Sequence, residues 1–164
     1  MPIKIRKMTE DEFSYVYQWS VEQNTKELMK ELHMSEEEAV KETVEEVSRM
    51  LPIGLETPDN YLMSIVESDS GKVVGFIWTL HELTAGRKQN FICDLAVWES
   101  EHRKGYGEAA IYLTEKKAAE AGCQEVVLFV NDNNHAAKAL YRKCGFEVLR
   151  QENYGKYMIK RLDK

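Results

Sequence analysis

"CDLAVWESEHRKGYGEAA", residues 93–110, joins an apolar segment to a helical one through a loop that carries two glycines. How this junction is read decides the fold. The segment "NFICDLAVW" is apolar, β-branched and aromatic, the pattern of a buried strand. After the loop, "EAAIYLTEKKAAEAG" puts Ala109, Ala110, Leu113 and Ala118 on one side of a helix, and Gly122 stands where a helix stop belongs. "EVVLFVN" then runs nearly all apolar, as a strand covered on both faces does. Strand, helix and strand make one parallel βαβ unit. The loop "HRKGYG" leaves the carboxyl end of its first strand, where α/β units bind ligands.

The flanking segments extend the pattern. "IKIRKM" alternates apolar and charged residues and opens the chain as a strand. Thr9 with Glu12 forms a capping-box pattern ahead of a helix over about Glu10 to Glu31. Ser35 and Glu38 repeat it for a second helix, ended by Pro52 and Gly54. "YLMSIVES" and "KVVGFIWTLHEL" form a hairpin across "DSG". "NNHAAKALYRKCG" is a short amphipathic helix, and "FEVLRQENYG" with "KYMIKRL" closes the chain as a second hairpin. The order β-αα-β-β-β-α-β-α-β-β predicts an α/β chain, a mixed sheet with helices on both faces, in a single domain over residues 1–164.

Composition narrows the function. The 164 residues carry a net charge of -6, which argues against a general nucleic-acid binder. No apolar run reaches membrane-spanning length, and "MPIKIRKMTEDEF" lacks the apolar core of a signal peptide. Cys93, Cys123 and Cys144 are odd in number and widely spaced, which suits reduced thiols in a cytoplasm, and no CxxC pair suggests a metal. Cys93 and Cys144 are expected as buried small apolar residues and Cys123 as a loop thiol.

The loop chemistry has two readings. A helix N-terminus offers unpaired N–H groups, glycine lets a ligand approach, and Arg103 and Lys104 add mobile positive charge, a combination that suits a phosphate or pyrophosphate. Alternatively Gly105 and Gly107 only turn the chain. The dinucleotide pattern GxGxxG is incomplete, since Ala110 holds its third position, and the P-loop pattern is absent. Downstream, Asn134, Ala137, Leu140, Tyr141, Gly145 and Phe146 form a second constellation. Asn134, Ala137 and Tyr141 share a helix face, where Asn134 can cap the helix or reach a ligand and Tyr141 offers a phenol.

These two motifs together, "CDLAVWESEHRKGYGEAA" and "NDNNHAAKALYRKCGFEVL", resemble the GNAT superfamily of N-acetyltransferases. The resemblance is strongest over residues 89–149. Residues 10–50 and "LPIGLETPDN" resemble a bacterial branch labelled YycN-like. The resemblance implies the GNAT acyl-CoA N-acyltransferase fold and acetyl-CoA as acyl donor. It implies a pyrophosphate on the backbone N–H groups of Arg103, Lys104, Gly105, Tyr106, Gly107 and Glu108. His102 opens this loop where the family usually has Gln or Arg. The pantetheine arm would bond to main chain of the strand at Leu95, Ala96 and Val97. Asn131, Asn134, Ala137 and Lys138 would line the far side of the gap.

For the reaction, the resemblance implies direct attack by a deprotonated primary amine. Tyr141 matches the family tyrosine that serves the leaving thiolate as general acid. Asp94 is the first candidate for general base, with Glu82 and His81 as alternatives, and a backbone N–H between Leu95 and Val97 would stabilise the oxyanion. A bulge common in this strand leaves the facing of these residues open. The acceptor is a small amine, amino acid, antibiotic, polyamine or peptide. Another acyl-CoA, or a non-catalytic acyl-CoA sensor or interaction module on the same fold, are the alternatives. Tyr15, Tyr17 and Trp19 are core or acceptor-facing residues, and the closing hairpin offers an edge for a homodimer.

Overall fold

The computed structural model describes residues 2–163 and contains the expected elements in the expected order. They are β1 (Ile3–Lys7), α1 (Glu10–Leu32), α2 (Glu36–Met50), β2 (Asn60–Glu67), β3 (Val73–Thr84), β4 (Arg87–Val97), α3 (Tyr106–Glu120), β5 (Glu125–Asn131), α4 (His135–Lys143), β6 (Glu147–Gln151) and β7 (Gly155–Arg161). The chain divides into two compact units.

The first unit is Met8–Asn60, which holds α1 and α2. Both helices start as their sequences direct. The Thr9 hydroxyl accepts from the Glu12 N–H at 3.1 Å and the Glu12 carboxylate from the Thr9 N–H at 3.0 Å. Ser35 accepts from the Glu38 N–H at 3.2 Å. Tyr15 is 61% exposed and so belongs to no core.

The second unit contains a seven-stranded sheet in the order β1-β2-β3-β4-β5-β7-β6. β4 and β5 pair in parallel, bridged by α3, while β3–β4, β5–β7 and β6–β7 are antiparallel. Ile5, Ile65, Ile77, Val126, Leu128 and Met158 build the core with α3 and α4. In α3 the buried row is Tyr106, Ala110, Thr114 and Ala118, with Ile111 beside it. Ala109 and Leu113, expected on that face, are only half-buried. The helix begins at Tyr106, and its buried row follows the four-residue spacing from that aromatic anchor. Cys123 is buried rather than a loop thiol, and Cys93 and Cys144 are half-buried rather than buried. At the end of α3, Gly122 takes a φ of +87°, and the Cys123 N–H reaches back to the Ala118 carbonyl at 2.9 Å. This C-terminal cap turns the Cys123 side chain inward.

Two irregularities in the sheet shape its centre. β4 and β5 pair only from Gln89–Glu125 to Ile92–Leu128. Beyond that point β4 pairs only with β3, as far as Val97, and β5 only with β7, as far as Asn131. The register of β3 against β4 also shifts: Trp78 faces Asp94 and Thr79 faces Ile92, which leaves Cys93 as the extra residue of a bulge. Across the bulge the alternation inverts, so Leu95 and Val97 pack on the core together with Ile92.

Candidate active site

Past its last pairing with β5, β4 has lost its cover. Asp94, Leu95, Ala96 and Val97 are all half-buried, whereas Ile92 is fully buried. Two of the main-chain groups expected to meet a ligand already have partners. The Asp94 carboxylate accepts from the Leu95 N–H at 2.9 Å, which removes that N–H from the oxyanion role. The His102 ring donates through Nε2 to the Val97 carbonyl at 2.7 Å. A carbonyl has two lone pairs, so Val97 can still accept a second bond. His102 thus ties the loop to the strand it has just left, and Nδ1 of its exposed ring stays available.

The loop itself is held from behind. The Trp98 N–H donates to the Val74 carbonyl at 2.9 Å, and a single 3-10 turn, Glu99–Glu101, follows. Glu101 is 2% exposed, and its carboxylate binds Lys72 at 2.5 Å and Lys104 at 2.9 Å. Hydrogen bonds from these two ammonium groups hold its pKa down at about 2. The Tyr106 hydroxyl donates to Glu67 at 2.7 Å, a bond that, with burial, pushes its pKa up to about 12. Glu108 pairs with Lys143 at 3.0 Å and so joins α3 to α4. Lys104, Tyr106 and Glu108 therefore turn their side chains to the protein, and the mobile charge expected of Lys104 is committed to Glu101. Their main-chain N–H groups stay available to a ligand.

What remains facing outward is the exposed Arg103 side chain and backbone. Arg103 and Gly105 both have positive φ, +66° and +80°. No side chain caps α3, and its first hydrogen bond runs from the Ala109 N–H to the Gly105 carbonyl at 3.1 Å. N–H groups of the first turn are thereby left for an anion, with the helix dipole behind them. A Cβ built on Gly105 meets no atom within 4 Å, so the ground over the loop is open. Gly107 serves packing instead. Its Cβ would lie 3.3 Å from Leu140 Cδ2, so the glycine lets α3 approach α4.

Two predictions arise here. Gly105→Val should cost the fold only the strain of a left-handed residue, about 1–2 kcal/mol. CoA affinity, measured by titration calorimetry, should fall at least about tenfold. Equal affinity in the folded variant would remove the loop from the site. The second concerns Glu101. Its folded pKa lies below the ordinary carboxylate value of 4.5, so its stabilisation is complete above that pH and is lost as pH falls toward about 2. Urea unfolding at pH 6 and pH 3 should show a smaller loss of stability for Glu101→Gln than for the wild type, and parallel losses would exclude this source.

α4 brings the second motif to the gap. The Asn134 side chain accepts from the Ala137 N–H at 3.2 Å, so its oxygen serves as helix cap. Lys138 is half-buried and makes no ion pair among the described residues. Asn131 ends β5 on the far side of the split. Tyr141 is 8% exposed and stands edge-on to Phe146, with ring centroids 5.8 Å apart. Burial first, and then the Asp94 carboxylate, push its pKa far up, so the phenol stays protonated. The Cys93 thiol in the bulge is raised to about 12 by burial and by the charges of Asp94 and Glu82. It is no thiolate near neutral pH.

The other base candidates lie further along β3, where His81 faces Asn90 and Glu82 faces Gln89. His81 meets Tyr61 at a tilt of 43°, with ring centroids 4.4 Å apart, and Glu82 accepts from the Gln89 amide at 3.1 Å. A further cleft, of about 200 Å³, has no counterpart among the sequence-based expectations. Phe129, Gln151, Glu152, Asn153, Tyr154 and Tyr157 line it. It sits at the parted end of β5, where Phe129 meets Tyr154 and Tyr157 edge-on, at 5.4 and 5.0 Å. Only the β5–β7 pairing, across about 30 residues of chain, brings these groups together.

A parted pair of parallel strands over an uncapped helix N-terminus is an architecture for an extended, anionic ligand. The model of the acetyltransferase (GNAT) family matches residues 13–146, and the chain belongs to that family. It is an acetyltransferase by class. It is 27% identical to the uncharacterized N-acetyltransferase YdgE of Bacillus subtilis over 90% of this chain and 94% of that one. YycN, a putative acetyltransferase of Bacillus subtilis, has a crystal structure that superposes with a TM-score of 0.81 at 26% identity, over 93% of this chain and 98% of that one. The PaiA N-acetyltransferase of Thermoplasma acidophilum, crystallised with coenzyme A, shares the fold at 19% identity, with a TM-score of 0.71 over 98% of this chain and 99% of that one. Among the described residues no helix is long and apolar enough to cross a membrane, and no cluster of His, Cys, Asp or Glu could hold a metal.

Proposed function

We propose that the protein transfers the acetyl group of acetyl-CoA to a primary amine by direct attack, with both substrates bound together. The observation that carries this reading is the parting of β4 from β5 beside the uncapped, open start of α3. The residues fit the donor. Main chain of residues 103–108 would hold the pyrophosphate, and Ala96 and Val97 would meet the pantetheine arm. Asn131, Asn134, Ala137 and Lys138 would line the opposite wall. Acetyl-CoA supplies the activated acetyl thioester. Tyr141, protonated at working pH, donates to the sulfur where negative charge develops. Asp94, whose charge reaches Tyr141, takes the proton of the amine. The raised Cys93 pKa supports direct transfer over an acetyl-cysteine route.

The aromatic cleft suits the apolar part of an amine acceptor, since Arg150 already pairs with Glu152 at 3.3 Å and covers the Tyr157 ring at 4.5 Å. The exposed edge at β6, with Val148 and Leu149 about half exposed, is where a homodimer would form. The free cysteines suit a cytoplasmic location. An amine library incubated with acetyl-CoA, read out as free thiol, tests the reaction. Release of thiol with a primary amine is the expected result. CoA binding without thiol release from any amine would favour the sensor reading.

A further inference from the structure

A second cavity, of about 430 Å³, lies between the far half of α3 and the strands β1–β4. Ile5, Met63, Ile77 and Ala118 give it apolar walls, and Tyr61, tilted against His81, stands at one side. Buried polar side chains interrupt this lining, among them Thr79 on β3, 4% exposed. Asn90, on β4, is 2% exposed, and Thr114, on α3, is 5% exposed. The Asn90 side-chain carbonyl oxygen and the Thr114 hydroxyl are both buried, and neither has a hydrogen-bond partner. Buried polar atoms are nearly always satisfied, and leaving one unpaired is costly. Both residues line one cavity, which points to a ligand that pairs with these atoms.

Their chemistry limits that ligand. The Asn90 oxygen can only accept, so the ligand must donate to it. The Thr114 hydroxyl can donate or accept. Lys117 and Glu120 also line the cavity but are exposed, so they are its rim, and no charge is buried inside. An ion would lose its hydration without a buried counter-charge. We infer that this cavity binds an uncharged, mainly apolar small molecule whose carboxamide or similar group donates to Asn90 and meets the Thr114 hydroxyl. The site is separate from the acetyl-transfer site. Asn90 precedes Asp94 by four strand residues, roughly 13 Å, and the cavity uses the opposite half of α3 from the loop at Gly105. It stands whether or not the chain transfers acetyl groups.

The test uses the full chain with benzamide as probe, and benzoate and toluene as controls, followed by amide chemical shifts in NMR. Benzamide should give saturable shifts at Tyr61, Asn90 and Thr114, and each control should bind at least about tenfold more weakly. Asn90→Leu and Thr114→Val remove the polar atoms at nearly constant volume and leave no unpaired group, so both should fold. Each should weaken benzamide at least about fivefold while leaving CoA binding unchanged. No saturable shift, shifts centred elsewhere, or equal affinity in both variants would overturn the assignment and leave a cavity that holds water only.

Discussion

Tyr141→Phe is expected to lower kcat by about 10²–10⁴-fold, with acetyl-CoA affinity held within about threefold of the wild type. The substitution removes one oxygen. The ring keeps its edge-on contact with Phe146 and its place in the core. Among the described residues the hydroxyl has no hydrogen-bond partner to lose, so thermal stability should hold or rise. This separates a chemical role from an anchoring one, since an anchor would lose stability and binding along with turnover. Burial and the Asp94 charge raise the Tyr141 pKa, which keeps the donor loaded across the working range. No limb of the pH–rate profile below about pH 10 should then disappear in the variant. Unchanged kcat, or a loss matched by weaker CoA binding, would take Tyr141 out of the acid role.

The element order was legible because each segment advertises itself locally. Thr9 with Glu12 and Ser35 with Glu38 are helix starts within four residues of sequence. The alternation of β1 and the near-continuous apolar run of β5 are strand signals of the same short range. The helix start after the loop was legible for a similar reason, since Gly105 takes the left-handed φ at the N-cap of α3. What sequence could not supply was side-chain direction where the partner is distant. Tyr106 turns inward to meet Glu67, 39 residues earlier, and Lys104 turns to a Glu101 that also holds Lys72. The bulge at Cys93 likewise depends on how β3 pairs, and it decides which residues of "CDLAV" reach the core.

His102 shows the same limit at a single position. By its place in the motif it reads as an altered ligand residue. In the fold it bonds the Val97 carbonyl and closes the β4–α3 junction on itself. The cavity behind Asn90 and Thr114 had no signature at all. Asn90 sits in a strand and Thr114 in a helix, 24 positions apart, and either alone is an ordinary residue. The aromatic cleft at Glu152 was hidden by the same kind of separation, because β5 and β7 bring its two walls together.

Gly75→Ala is expected to destabilise the protein by about 3 kcal/mol, at the upper end for overpacking, and to lower the melting temperature by about 6–12 °C. Gly75 pairs with Val97 across β3–β4. A Cβ there would lie 2.2 Å from the Ala96 carbonyl oxygen and 2.9 Å from the Val97 Cα. Both are backbone atoms, so no rotamer change relieves the clash, and the strand itself must move. This end of β4 has no β5 neighbour to hold it, only β3 and the His102 bond. Displacement would therefore reach the main chain proposed to meet the pantetheine arm and the loop tied to it. CoA affinity at a temperature where the variant is folded should fall at least about tenfold. Gly71→Ala is the matched control: its Cβ meets nothing within 4 Å, and its φ of +75° costs only backbone strain. That strain is about 1–2 kcal/mol, with CoA binding intact. If calorimetric melting and CoA titration put the two variants level, close approach at Gly75 does not hold β4 in its binding position.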